Sequence, residues 1–186
     1  MSPSVACKLN LLGLSTIGVV LLIAFIDQII FHDIPCPLCL LQRIGFAGVG
    51  IGLALNIRFG PRPSHYALTI LSAVVGTIIS GRQILLHIIP GTGAYGHIIL
   101  GMHFYTWAFI LFSVIIIGAA VMLFFDCQFS DNRFFDNTES IPILNKTGRV
   151  IIVVFALLVF CNAVSTVFEC AGGLCAANPV KYQLIQ

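Results

Sequence analysis

Between Lys8 and Asp27 the chain runs 18 residues without a charge, and between Arg149 and Glu169 it runs 19. About 20 apolar residues, rising ~1.5 Å each along a helix, cross the ~30 Å hydrocarbon core of a bilayer. Runs of this length therefore read as membrane spans. Inside lipid every backbone N–H and C=O must find a partner within the protein, which leaves helices or a closed barrel. The strand alternation of a barrel is absent, so the expected class is all-α and polytopic. Composition agrees: 59% of residues are hydrophobic and 9% charged, against about 25% charged in a soluble domain.

Five spans are expected, at 9–31, 36–57, 66–89, 104–125 and 150–168, with a tail at 169–186. That is a four-helix transmembrane bundle core plus a fifth C-terminal transmembrane helix, in a single integral membrane domain over residues 1–186. The first apolar run is too long for the core of a cleaved signal and lacks a small-residue cleavage site before a polar mature domain. The net charge of +2 gives no reason to expect a nucleic-acid partner; its distribution is more informative. With the N-terminus inside, the inner segments hold Lys8, Arg58, Arg62, Arg133, Lys146 and Arg149, and the outer segments hold Lys181 alone. This bias places the N-terminus in the cytoplasm and the C-terminus outside.

The orientation sorts the cysteines. Cys36, Cys39, Cys170 and Cys175 fall on the outer side, where disulfides persist. Cys7 and Cys127 fall inside and are expected to stay reduced; Cys161 lies within the fifth span and is expected to pack. The first pair belongs to CPLCLLQR, residues 36–43. Pro37 suits a first helical turn, because its missing N–H is not needed there. The exposed amides and dipole of that helix end favour an anion, and the thiolate is the form that attacks disulfides. Residues 36, 39 and 43 form one helical stripe. The bland alternatives are two packed thiols or half a metal site, which for zinc lacks two ligands. Cys170 and Cys175 are separated by AGGL, and Gly172-Gly173 allows the tight return that a bridge requires. That bridge is either structural or, being outside any core, exchangeable.

PCPLCLLQR, residues 35–43, resembles the segment that opens the second span of the DsbB family of disulfide-generating membrane proteins. GRQILLHIIP, residues 81–90, is similar to the end of that family's third span, and the likeness extends over roughly 9–125. The resemblance implies an oxidoreductase of the bacterial inner membrane that reoxidises a periplasmic DsbA-type thioredoxin-fold thiol carrier. It also implies electron transfer to ubiquinone or menaquinone in the membrane pool. By the same resemblance Cys39 faces the quinone, Cys36 is its exchanging partner and Arg43 contacts the quinone. The family usually carries its second cysteine pair between spans three and four. Here that loop, GTGAYGHIILGMH, has none, and Cys170 and Cys175 after the extra span are the candidate replacement. In the expected cycle the carrier reduces Cys170–Cys175, the reduced tail pair attacks Cys36–Cys39, and Cys39 delivers two electrons to quinone.

Charges inside a span are costly and point to function by default. Arg43 and Arg82 both fall about 10 Å below the outer ends of their helices. Gln83 and His87 share a face with i, i+4 spacing, and Asp27 lies near the outer end of span one. These residues are expected to form a polar pocket under the first pair, with Arg43, Arg82, Gln83 and His87 contacting a quinone headgroup and His87 relaying a proton. The competing reading is snorkelling to the interface with a structural ion pair. His97, His103, Tyr105 and Trp107 read as interface anchors. A second enzyme reading is similar to vitamin K epoxide reductase, whose redox motif lies later in the chain. A reading from another class is a metal-binding or structural membrane subunit.

Overall fold

The computed structural model describes residues 2–31, 34–88, 98–129, 142–171, 173, 175, 182 and 184. His97, Arg133, Gly172 and Lys181, on which parts of the sequence reading fell, lie outside the described residues. Five helices are long and apolar enough to cross a membrane: α1 (Pro3–Ile30), α2 (Pro37–Phe59), α3 (Pro63–Leu86), α4 (Phe104–Leu123) and α5 (Pro142–Cys170). A two-residue antiparallel hairpin, β1 (Ile98–Ile99) with β2 (Met102–His103), precedes α4, and a 3-10 turn at Asp126–Gln128 follows it.

Four of the five helices begin on a proline, where the fixed φ is favourable and no N–H is wasted. Ser2 caps α1 by accepting from the Val5 amide, and the Cys36 side chain caps α2. Gly60, at φ 87°, closes α2 in a conformation that disfavours any side chain, and Pro61 prevents the helix from continuing. α1 starts six residues before the expected span, and α5 eight before. Hydropathy reads only the lipid-facing stretch, whereas the helical hydrogen bonds continue through the charged residues at the interface. At the other end α5 runs two residues past the expected 168 and takes in Glu169 and Cys170.

α2 is the centre of the bundle: it packs on α1 and α3, α3 packs on α4, and α5 lies against α1 and α2. The core holds Leu14, Ile17 and Leu21 of α1, Phe46 and Val49 of α2, Ala73 of α3, Ala108 and Phe112 of α4, and Phe155 of α5. Glycines allow this closeness. The Phe112 ring lies against Gly45 and Gly76, and the Phe155 ring against Gly50, so that a Cβ at Gly76 or Gly50 would overlap the ring. Small residues at such crossings are how helices approach one another in lipid. The outer faces are apolar, with Leu71, Ile78, Ile117 and Phe160 each more than 60% exposed, as lipid contact demands. The helix directions alternate, so the end of α1, the start of α2, the end of α3, the start of α4 and the end of α5 share one end of the bundle. Cys161, expected to pack, is instead exposed on the outer face of α5.

Candidate functional site

The shared end carries the two cysteine pairs. Cys36 precedes the first turn of α2 in an extended conformation and is buried. Its Sγ accepts from the Cys39 amide at 3.2 Å, which turns the Cys39 side chain toward it, and the two sulfurs stand 2.6 Å apart. A disulfide bond measures ~2.0 Å, so bond formation needs a sulfur displacement of ~0.6 Å. Cys36 lies ahead of the spanning segment. Its hydrogen bond with Cys39, and then its burial, push its thiol above the ordinary cysteine range.

Gln83 of α3, fully buried, spans the pair. Its Nε2 donates to Cys36 Sγ at 3.3 Å and to Cys39 Sγ at 3.4 Å. Gln42 Nε2 donates to Gln83 Oε1 at 2.7 Å. The Gln83 oxygen thus accepts from Gln42, with the Cys39 Sγ 4.0 Å away, while the Gln83 N–H groups face the two sulfurs. Gln83 therefore serves the sulfurs directly. The sequence groups it with a cofactor pocket and does not single out Gln42, for which the available signal is an uncharged polar side chain in a span, one turn after Cys39.

Arg43 sits one turn below Cys39. Its Nη1 donates to Gln28 Oε1 at 2.6 Å and to Asn162 Oδ1 at 3.2 Å, and its Nη2 to the Ala24 carbonyl at 2.8 Å. Gln28 in turn donates to Ser165 Oγ at 2.7 Å and Tyr182 Oη at 3.1 Å. One guanidinium thus ties α1, α2 and α5 together. Beside it is a cavity of about 320 Å³ walled by α1, α2 and α4, with Cys39, Arg43, Asp27, Phe46, Tyr105 and Trp107 in its lining. The remainder of the wall is almost wholly apolar.

Arg82 is not brought to this place. It is exposed on α3, because the neighbouring Gln83 points inward and one residue is a ~100° step around a helix. His87 is half-buried; its Nδ1 lies 2.9 Å from the Gln83 carbonyl oxygen, and its ring stacks on Tyr105 at 5.5 Å. Tyr105 stacks on His103 at 5.2 Å. His87 thus meets the cavity through a tyrosine and does not line it.

Cys170, the buried last residue of α5, is bridged to Cys175, with Cα atoms 4.6 Å apart. Ala171 at φ 47° and the Gly173 amide bonded to the Cys170 carbonyl make the turn. Glu169 is 2% exposed, and neither carboxyl oxygen has a hydrogen-bond partner among the described residues. No cluster of metal-ligating side chains occurs among the described residues.

The family model for disulfide bond formation protein DsbB matches residues 7–95. Curated proteins called disulfide bond formation protein B also align with part of the chain. The one from Marinobacter nauticus is 38% identical over 74 residues, 38% of this chain and 44% of its own length. The one from Xylella fastidiosa is 39% identical over 61 residues, 30% and 35%. The one from Nitrosomonas eutropha is 34% identical over 71 residues, 36% and 41%. The chain thus spans about two fifths of the length of these relatives. No solved structure matches it significantly.

Proposed function

We propose, from the match of residues 7–95 to the DsbB family model, that the chain is a DsbB-type membrane thiol:quinone oxidoreductase that makes disulfides de novo. In this reading it reoxidises a DsbA-type thioredoxin-fold dithiol carrier in the periplasm and passes the electrons to ubiquinone or menaquinone. The whole chain acts as one membrane unit in the bacterial inner membrane, with its N-terminus cytoplasmic and both cysteine pairs periplasmic.

The observation that carries the reading is the position of Cys39, which lines the apolar cavity and at the same time stands 2.6 Å from its redox partner. Electrons that arrive as a thiol pair therefore leave from the cavity wall. The volume lies within the ~300–1,000 Å³ range of small-molecule sites. A largely apolar wall with one cation, Arg43, and one carboxyl, Asp27, suits a flat, lipid-soluble molecule carrying carbonyl oxygens. A quinone supplies the two-electron acceptor that thiol–disulfide exchange alone lacks. Arg43, held by three neutral acceptors, keeps its charge available to oppose negative charge on a carbonyl oxygen. Gln83 N–H groups stabilise whichever sulfur is anionic, and Gln42 holds them in that direction. Cys170–Cys175 is the outer bridge through which the carrier's electrons enter.

The test is turnover of the full chain in lipid with a reduced thioredoxin-fold carrier and a short-chain ubiquinone. Wild type reduces the quinone as the carrier becomes disulfide-bonded, and Cys39→Ser does not. Undiminished turnover in Cys39→Ser removes the cavity-wall thiol from the reaction and the reading with it.

A further inference from the structure

Among the described residues, Glu169 is the one buried acid that this cycle leaves unused. We propose that it is the proton-exchanging group for electron transfer between the two cysteine pairs; the inference rests on the relay reading above.

The placement follows from helix register. α2 and α5 run in opposite directions and are pinned side by side by the Arg43–Asn162 hydrogen bond. Seven residues back from Arg43 is Cys36, and seven forward from Asn162 is Glu169. Seven residues are nearly two full turns, ~10.5 Å, so each lies on the face that makes the contact, and both rise to the same level. Glu169 therefore looks toward the α2 thiols from the residue next to Cys170. Arg43 and Cys39 both act electrostatically on it. The titratable and charged groups that act on it are Arg43 and Cys39 of α2; Asp27 of α1 and Tyr182 of the tail act, with Glu169, on the same Arg43.

A buried polar group without a partner is costly, and natural structures keep few of them. With no partner among the described residues, both oxygens can take or give a proton without breaking a bond seen there. Thiol–disulfide exchange needs that service at each step. After the carrier has reduced the tail pair, the Glu169 carboxylate takes the proton of one tail thiol. The resulting thiolate attacks the Cys36–Cys39 bridge; that S–S bond breaks, a mixed disulfide forms, and the expelled thiolate takes the proton back from Glu169. Attack by the second tail thiol releases the mixed disulfide, rebuilds Cys170–Cys175 and passes its proton to the remaining sulfur. Two electrons and two protons move from the tail pair to Cys36 and Cys39, and Glu169 ends as it began.

The test omits quinone. Fully oxidised, quinone-free protein is mixed with dithiothreitol across a pH series, quenched with a maleimide, and scored for labelling of the tail pair and of Cys36/Cys39 separately. In wild type the tail labels first and the inner pair follows. Glu169→Gln should leave tail labelling unchanged and slow inner-pair labelling by on the order of 10²-fold. Relative to tail labelling at the same pH, its inner-pair rate should keep rising into the range of a free thiol, where wild type levels off at lower pH. Glu169→Asp should restore most of the rate, and Glu169→Gln should unfold at the same temperature as wild type or higher. A Glu169→Gln protein with the wild-type rate and pH profile overturns the proposal alone. If electrons never pass from tail to inner pair in wild type, the relay falls and this proposal falls with it.

Discussion

The bundle has two clusters of buried polar side chains, one at each end, and they are built differently. At the end away from the thiols, Tyr66 accepts from Asn10 Nδ2 at 2.9 Å and donates to Gln128 Oε1 at 3.1 Å. Asn56 donates to Asn10 Oδ1 at 3.0 Å and accepts from the Arg62 amide at 3.1 Å. Gln128 Nε2 reaches the Met122 carbonyl. Every buried side chain there has a partner, and the network joins α1, α2, α3 and the turn after α4. At the thiol end Glu169 and the His103 Nδ1 have no hydrogen-bond partner among the described residues, and two sulfurs take the place of stronger acceptors. Complete pairing fixes a structure, whereas incomplete pairing leaves groups available for chemistry at a cost in stability. The first cluster is a clamp and the second is a workplace.

The sharpest way to break that distinction is to remove Arg43, the best-connected group of the thiol end. Arg43→Met leaves the oxygens of Gln28, Asn162 and Ala24 without their donor. Turnover with a short-chain ubiquinone should fall by on the order of 100-fold, about 3 kcal/mol, chiefly through a raised KM for quinone. Reduction of Cys170–Cys175 by dithiothreitol should continue at its wild-type rate. Equal loss of both would mean that Arg43 only holds α1, α2 and α5 together.

The reciprocal experiment is at the clamp. Asn56→Ala orphans Asn10 Oδ1 and the Arg62 amide, at a cost of about 2 kcal/mol. Thermal unfolding should shift down by several degrees, while KM and kcat below that transition stay as in wild type. A changed KM would show that the two ends communicate.

How far these roles could be read from sequence depends on what kind of signal carries them. The five helices follow from apolar length, and the cysteine pairs and Arg43 stand out as rare residues in rare places. Arg82 and Gln83 mark the limit: charge drew attention to the first, but rotation of α3 puts the second against the sulfurs and the first outside. That rotation is set by Gly76 under Phe112 and by the α2 contact, which are long-range facts. Gln28, Gln42 and Asn162 are uncharged and scattered over three helices, so nothing local declares that they meet around one guanidinium and one amide. By hydropathy Glu169 is the first residue of a polar tail. It is inside because α5 continues helical through Cys170.

Gln42 tests the workplace more finely than Arg43. Gln42→Leu keeps the volume but removes the donor that orients Gln83, whose amide can then turn its oxygen to the sulfurs. A thiolate facing an oxygen is destabilised, so the exchange step should slow about tenfold, ~1.4 kcal/mol, with the unfolding temperature nearly unchanged. Gln42→Glu should slow it as well, since a carboxylate cannot donate to Gln83 and places a negative charge beside the pair. If neither variant differs from wild type, the direction of the Gln83 amide has no part in the exchange.

The smallest expected effect concerns where workplace and clamp overlap. Gln28 accepts from Arg43 and donates to both Ser165 and Tyr182, so the tail that carries Cys175 is moored to the group that holds Arg43. Tyr182→Phe removes one acceptor, but Ser165 still satisfies the same Gln28 nitrogen, so the loss should stay below about 1 kcal/mol. That is at most about a fivefold rise in the population of undocked tail. Tail labelling by maleimide after reduction should quicken by that factor, and quinone KM should not move. A shift in KM would mean that the mooring reaches the cavity through Arg43, and that docking of the tail sets the affinity of the site.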